Sequence, residues 1–387
     1  MKRIYLDYAA TTPVAPEVLA AMLPYFHETP GNPSAIYAEG QQARQAVETA
    51  RNSVARLINA RSDEIFFLSG GTEADNMALS GLVLAEGCKG RHIITTSIEH
   101  HAVLENCHFL EKQGAKVTIL PVDGDGILDP KAVENAVQAD TAVVSVIMAN
   151  NEIGTIQNIS AISRITKQAG IYLHTDAVQA IGRVPVDVQA LGVDLLSISS
   201  HKLYGPKGIG ALYIRKGIRI SPILWGGGQE RGRRSGTENV PGIVGLGKAA
   251  KLAQSSMVAE AERLTILRDR LIAGVLTRIP GSRLNGHPTQ RLPNNANFSF
   301  DYVEGESVCL NLDLAGIAAS PGSACSSTST TPSHVLLALG LPQHQAFGSL
   351  RLSLGRWTTE ADIDRVLEVL PGIISRLRAM SPMLNKG

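Results

Sequence analysis

The sequence has few cysteines, few aromatic residues and almost no net charge, and it contains no long apolar run. Its four cysteines, Cys88, Cys107, Cys309 and Cys325, are too few for a disulfide framework in 387 residues and lack metal-ligand spacing. Without a run of about 18 apolar residues, no transmembrane helix is expected. A formal net charge of +1, with no basic tract, does not indicate nucleic acid as a partner. The N-terminus lacks a signal-peptide pattern, so we expect a protein of the reducing cytoplasm.

Apolar runs typical of buried strands alternate with helical segments up to about residue 214. This alternation predicts an α/β fold whose mostly parallel sheet of roughly seven strands is covered by helices on both faces. A largely helical stretch from Gly245 to about Ile279 then leads toward a second domain. Ligands of such sheets bind outside the carboxyl ends of the strands, so polar residues at those ends are the candidates for a site.

Two apolar runs end close to a charged residue, Asp176 in one case and Lys202 in the other. A carboxylate beside the ring nitrogen and a lysine that forms a Schiff base are what pyridoxal phosphate (PLP) requires. The spacing leaves room for a strand, a helix and a strand, so the two ends can lie side by side. Asp176 as the cap of a following helix, and Lys202 as a solvated loop residue, remain alternatives.

Three more polar turns follow predicted strands. Residues 69–76 combine glycines and hydroxyls at a helix start, which suits an anion such as a cofactor phosphate but also an ordinary capped turn. His100 is placed to stack on a pyridine ring and to move protons, unless it is a surface helix residue. Asn151 lies in a turn suited to a ligand hydroxyl. The shared placement of these turns with Asp176 and Lys202 predicts a single site.

The second half of the sequence adds three candidates. The glycine- and arginine-rich residues 226–239, with Thr237, suit phosphate binding, although a solvated connection has the same composition. Cys325 lies among small polar residues that offer nothing apolar to bury it, which suits a thiol that travels to its substrate. Cysteines are nevertheless usually buried and inert. Arg351, in a predicted strand, is suited to bidentate binding of a carboxylate.

Together these stretches resemble the NifS/IscS-type cysteine desulfurases, which are PLP enzymes of the class V aminotransferase family with fold type I. The resemblance covers essentially the whole chain, and the motifs occur in the family order. It implies a large PLP-binding domain of residues 14–256 and a smaller α+β domain formed by residues 1–13 and 257–387. The matching segments are residues 5–12, 31–34, 69–73, 99–100, 150–154, 174–179, 200–202, 234–237 and 322–325.

The resemblance implies which residues hold the cofactor. Lys202 bonds to the PLP aldehyde, Asp176 pairs with the ring nitrogen and His100 stacks on the ring. Gln179 and Asn151 lie by the ring oxygen. The residues implied for the phosphate are Gly71, Thr72, Ser199 and His201, together with Thr237 from the other subunit of a homodimer with shared sites.

The resemblance also implies the reaction. L-cysteine, held by Arg351 and Asn151, would give alanine and leave its sulfur as a persulfide on Cys325, with His100 as the candidate acceptor of the thiol proton. The sulfur would pass to an acceptor protein such as an iron–sulfur scaffold. A selenocysteine lyase, or another PLP-dependent lyase or aminotransferase, is an alternative that needs no Cys325. A non-catalytic scaffold that has lost its cofactor is another.

Overall fold

A computed structural model describes residues 3–85, 87–88, 90–322 and 332–381. Its strands are β1 (Ile4–Tyr5), β2 (Ile65–Leu68), β3 (His92–Thr96), β4 (Lys116–Leu120), β5 (Thr141–Ser145), β6 (Tyr172–Asp176), β7 (Leu195–Ser199), β8 (Gly210–Ile214), β9 (Ser282–Asn285), β10 (Asn295–Phe300), β11 (Ile317–Ala318) and β12 (Ser349–Ser353). Its α-helices are α1 (Pro16–Met22), α2 (Pro24–His27), α3 (Ala38–Leu57), α4 (Gly71–Val83), α5 (His101–Lys112), α6 (Pro130–Ala136), α7 (Ile159–Ala169), α8 (Val188–Leu191), α9 (Val240–Arg278), α10 (Gly305–Leu314), α11 (His334–Ala338), α12 (Gln343–Phe347) and α13 (Glu360–Met380).

The largest sheet has seven strands in the order β2–β8–β7–β6–β5–β3–β4. Strands β4, β3, β5, β6 and β7 pair in parallel, whereas β8 is antiparallel to both of its neighbours. The expected α/β fold with a mostly parallel sheet is therefore confirmed.

Helices cover both faces of this sheet because its strands are apolar on both sides. Successive side chains of a strand point to opposite faces. Ile93 and Leu195 accordingly pack with α4 and α5, while their neighbours Ile94 and Leu196 pack with α3, α7 and α9. Since both faces are covered, the open places for a ligand are the ends of the strands.

A second apolar core lies around a three-stranded antiparallel sheet in the order β12–β10–β9. The C-terminal half of α9 contributes Leu264 and Leu271 to this core, which also includes residues of α10 and α13. The N-terminal strand β1 pairs in parallel with β11 beside it. The domain boundaries drawn from the sequence stay a prediction.

Helix α9 begins earlier than the sequence led us to expect, at Val240 rather than Gly245. The side chain of Asn239 accepts a hydrogen bond from the backbone N–H of Gly242 and so caps the helix. Pro241, in the first turn, has no N–H that would be left without a partner. None of the helices in the described ranges is long and apolar enough to cross a membrane.

Candidate active site

A cavity of about 390 Å³ lies at the carboxyl ends of the strands in the large sheet. Small-molecule sites typically measure about 300–1,000 Å³. All of the predicted site residues except Thr237 and Cys325 line it. The lining residues are Ala9, Ala10, Gly71, Thr72, Asp75, His100, Ile147, Asn151, Asp176, Val178, Gln179, Ser199, His201, Lys202 and Arg351.

A larger depression of about 770 Å³ lies between α3 and α9 and shares no lining residue with this cavity. Glutamines, small residues and two lysines, Lys248 and Lys251, line most of it. It has neither a carboxylate nor a histidine among its lining residues, so we place the chemistry in the smaller cavity.

Lys202 is held in the cavity by the N-terminal segment. It ends a single 3-10 turn, Ser200–Lys202, directly after β7. Its Nζ donates hydrogen bonds to the carbonyl oxygens of Ala9 and Ala10, both at 2.6 Å. Lys202 is therefore not a solvated loop residue, and its amine is fixed at the strand end. The contribution of the two alanines was not predicted, because every residue has a backbone carbonyl oxygen and the residue type does not show which of them contributes to a site.

Asp176 ends β6 inside the cavity. Its Oδ1 accepts a hydrogen bond of 2.9 Å from the N–H of Val178. Turns follow it, and the next helix, α8, begins only at Val188, so Asp176 is not a helix cap. Burial raises the pKa of Asp176 to about 6, against the lowering effects of the Val178 N–H and the Lys202 cation. A protonated ring nitrogen beside Asp176 would lower the pKa of this carboxyl group and favour its ionised form, so the carboxylate fits such a partner.

An anion cradle opens at the start of α4. Gly70, the residue before the helix, provides no side-chain cap. The first N–H groups of this 13-residue helix therefore receive no capping hydrogen bond from the side chain of residue 70. The helix dipole favours an anion at this end. A Cβ at Gly71 would lie 2.9 Å from Cγ2 of Val178 and 3.5 Å from Cβ of Ser199. Only a glycine leaves this space open, and the cradle fits a phosphate.

His100 is the N-cap of α5, not a free surface residue. Its Nδ1 accepts a hydrogen bond of 3.1 Å from the N–H of Ala102. Burial, together with the cation of Lys202 and the neighbouring His101, lowers the pKa of His100 to about 4. The imidazole is therefore neutral near pH 7, and the acceptor role of Nδ1 assigns its proton to Nε2.

Arg351 reaches the cavity from β12, in the second core, and is almost fully buried. Its guanidinium donates to the carbonyl oxygen of Asn151 at 2.9 Å and to Oδ1 of Asp7 at 2.8 Å. Its Nε has no hydrogen-bond partner among the described residues. A ligand carboxylate can therefore still be bound here. No role was predicted for Asp7, although it lies in the N-terminal motif of residues 5–12.

Two predicted site residues do not line the cavity. Thr237 is exposed, in a loop that an ion pair between Arg234 and Glu73, at 2.9 Å, ties to the start of α4. Cys325 lies outside the described residues, so its role stays a prediction. Asp75, by contrast, lines the cavity without having been predicted, because an aspartate early in a helix also fits a solvent-facing position.

The fold and the cavity define a class of protein that presents a lysine, a carboxylate and a phosphate cradle at the carboxyl ends of a mostly parallel sheet. The chain belongs to the aminotransferase class-V family, whose model matches residues 4–366. The resemblance inferred from the sequence is thus confirmed, and so is the expected architecture, fold type I of the PLP enzymes.

Individual relatives agree with this assignment. The chain is 57% identical over 385 residues to "Cysteine desulfurase IscS" of Methanosarcina thermophila, covering 100% of this chain and 95% of that protein. A solved NifS-like protein superposes with a TM-score of 0.91 at 39% identity, covering 97% of this chain and all of the other. A structure described as SspA in complex with cysteine superposes with a TM-score of 0.82 at 36% identity, covering 92% of this chain and all of the other.

Proposed function

We propose that the protein is a PLP-dependent cysteine desulfurase that converts L-cysteine to L-alanine and leaves the sulfur as a persulfide on Cys325. One observation carries this proposal: Lys202, Asp176 and Arg351 come together in a single cavity. The first two suit a pyridine aldehyde cofactor, and the third suits the carboxylate of an amino acid. The names of the relatives, cysteine desulfurase and NifS-like protein, support the choice of reaction.

PLP, when bound, supplies an electron sink for the bond changes at the substrate. In our proposal Asp176 faces its ring nitrogen, Gln179 and Asn151 its ring oxygen, and His100 one face of its ring. Its phosphate would be held at the N-terminus of α4, where a Cβ at Gly71 is excluded by Val178. The residues proposed for it are Gly71, Thr72, Ser199 and His201, with Thr237 from a second subunit.

The reacting groups of the chain have separate tasks. Arg351 and Asn151 orient L-cysteine, and Nζ of Lys202 takes its α-proton. The thiolate of Cys325 attacks the substrate sulfur, the carbon–sulfur bond breaks, and the carbon side takes up a proton as it becomes alanine. The products are alanine and a Cys325 persulfide, so atoms and electrons balance without another oxidant.

Proton transfer from the Cys325 thiol needs help, because an ordinary thiol is only a few per cent ionised at pH 7. We propose that His100 moves this proton. Its Nδ1 is occupied by the N–H of Ala102, so accepting a proton at that atom requires loss of this hydrogen bond. While the bond lasts, the imidazole acts as a donor from Nε2.

We also propose a homodimer with shared sites, a cytoplasmic location and a protein acceptor for the sulfur, such as an iron–sulfur scaffold. The exposure of Thr237 supports the dimer, since a residue outside its own cavity is available to that of another subunit. The small number of cysteines supports a reducing compartment.

The test begins with the visible spectrum of the purified protein, followed by addition of L-cysteine with a reductant. We expect a band from bound PLP, and alanine and sulfide in equal amounts. Cys325→Ser should keep the band and lose both products. Cys309→Ser is the matched control and should keep full activity, because burial raises the pKa of its thiol to about 12 and it does not line the cavity.

Three results would contradict the proposal. Full alanine and sulfide production by Cys325→Ser would remove Cys325 as the nucleophile. A second result would be an unsubstituted protein that does not act on cysteine, together with a Cys325→Ala variant that releases selenide from selenocysteine. This result would favour the selenocysteine lyase alternative. Absence of any PLP band after addition of PLP would leave only the scaffold interpretation.

A further inference from the structure

A buried carboxyl group in the cavity has no task in the reaction proposed above. Asp75 lies in the second turn of α4, lines the cavity and is 1% exposed. Its Oδ1 has no hydrogen-bond partner among the described residues. Burying a polar atom without a hydrogen-bond partner lowers stability by about 1–3 kcal/mol. A carboxyl group in this position therefore needs a functional explanation.

Asp75 rests on a polar chain below the cavity. Its Oδ1 lies 3.6 Å from Nε2 of His174, which in turn lies 3.0 Å from Oγ of Ser197. On the other side of the ring, Nδ1 lies 2.8 Å from Oγ of Ser145. Burial lowers the pKa of His174 to about 3, so the imidazole is neutral and makes no ion pair with Asp75. His174 therefore provides no cation to compensate a charge on Asp75.

The strand register places Asp176 beside the same chain. His174 and Asp176 are two residues apart in β6 and thus point to one face of the sheet. Asp176 pairs with Ser197 across β6 and β7, and α4 packs on this face. Two carboxyl groups buried so near each other cannot both ionise at low cost.

The partners decide which of the two holds the charge. Asp176 has the N–H of Val178 and the cation of Lys202, both of which favour its ionised form. Burial raises the pKa of Asp75 well above its usual range, and the charge on Asp176 and the carboxyl of Glu99 raise it further, whereas the Ser197 hydroxyl has a smaller lowering effect. The charge belongs on Asp176, and the proton belongs on Asp75.

We propose that Asp75 is a positioning residue: a neutral carboxylic acid that backs Asp176 and keeps the single negative charge of the pair where the cofactor's ring nitrogen binds. This inference rests on the proposed function, because it takes PLP as the occupant of the cavity. Asp75 then acts through Asp176 and does not itself touch the reacting atoms.

The test compares the same substitution at both carboxyls. Asp75→Asn keeps the size, the neutrality and a hydrogen-bond donor, whereas Asp176→Asn removes the charge. Asp75→Ala is also neutral, but it removes the hydrogen-bond donor. The dissociation constant of PLP is measured for each full-length variant by equilibrium dialysis, and folding is checked by circular dichroism.

We expect Asp75→Asn to bind PLP within about twofold of the unsubstituted protein, since neutrality and a donor are both kept. Asp75→Ala should weaken PLP binding about tenfold or more, because it removes the neutral polar group beside Asp176 and leaves a gap in its place. Asp176→Asn should weaken it further. If Asp75→Ala does not fold, the contrast between the two asparagine variants carries the test alone.

An Asp75→Asn variant as weak as Asp176→Asn would show that Asp75 itself is ionised, and would overturn the proposal. Unchanged affinity in a folded Asp75→Ala variant would overturn it as well. Binding of PLP without release of alanine would refute the proposed reaction but leave this inference standing. Failure of the unsubstituted protein to bind PLP would refute both.

Discussion

Glu99 is a buried carboxyl group that directly precedes His100. Its surroundings would compensate a negative charge only poorly. Its Oε1 accepts hydrogen bonds from Oγ1 of Thr96 at 2.6 Å and from the N–H of Ile147 at 2.9 Å. Its Oε2 has no partner in the described part of the chain. Burial raises the pKa of Glu99 to about 8, and the charge on Asp176 adds to this effect. Glu99→Gln should therefore change how stability depends on pH.

The sign follows from the two pKa values. Between about pH 4.5 and 8, the unfolded chain releases the Glu99 proton while the folded protein keeps it, so the free energy of unfolding falls as pH rises. Each unit of pKa difference equals about 1.4 kcal/mol, which puts an upper limit of about 5 kcal/mol on the loss above pH 8. Glutamine does not titrate, so the variant lacks this loss.

Glutamine also has a cost. Its carbonyl oxygen can keep the bonds from Thr96 and Ile147, but its amide group takes the place of the unpartnered Oε2 and costs about 1–2 kcal/mol. At pH 5.5 the unsubstituted protein has already lost about 1.4 kcal/mol, so we expect Glu99→Gln to be about as stable as the unsubstituted protein there. Above pH 8 it should be more stable, by up to about 3–4 kcal/mol after this cost is subtracted.

Urea unfolding followed by circular dichroism between pH 5.5 and 9, with the same excess of PLP in every sample, measures how the two stabilities diverge as pH rises. Glu111→Gln, on the exposed side of α5, is the matched control. Its difference from the unsubstituted protein should not depend on pH in this range. If the Glu99→Gln curve runs parallel to that of the unsubstituted protein from pH 5.5 to 9, Glu99 is ionised in the folded state and the reasoning is wrong.

Two further substitutions test ion pairs of the fold. Arg351→Lys should raise KM for L-cysteine about tenfold or more, because an ammonium cannot serve Asn151, Asp7 and a substrate carboxylate with the geometry of a guanidinium; an unchanged KM in steady-state kinetics would refute this. Arg51→Met should lower the free energy of unfolding by about 3–5 kcal/mol, because it leaves Glu230 buried without the cation that now binds both of its oxygens at 2.8 Å. A loss below about 1 kcal/mol in urea unfolding would contradict that expectation.

The residues at strand ends were predictable because a parallel sheet brings its carboxyl ends to one edge. Asp176 and Lys202 each follow an apolar run, and alternation of strands and helices was enough to place them together. Neither inference needed a side-chain contact. His100 and Asn151 entered the site by the same argument, and all four line the cavity.

Asp75 and Asp7 were not predictable in this way. An aspartate in the first turns of a helix fits a favourable place in the helix dipole, and only the packing of α4 on β6 and β7 buries Asp75. Asp7 and Arg351 are 344 positions apart, and their pairing depends on how the second core lies against the large sheet. No local pattern contains such a distance.

The N-terminal segment joins the two parts of the site. The N–H of Leu6 bonds to the carbonyl oxygen of Ala318, and the carbonyl oxygen of Leu6 accepts a bond from Ser353 in β12, so the segment is fixed to the second core. Farther along, the N–H of Thr12 bonds to the carbonyl oxygen of His201, and two alanine carbonyls bind Nζ of Lys202. One short segment therefore fixes both the amine and, through Asp7, the guanidinium of Arg351. This segment therefore helps to set the distance between the two groups to which we assign the substrate's α-proton and its carboxylate, Nζ of Lys202 and the guanidinium of Arg351.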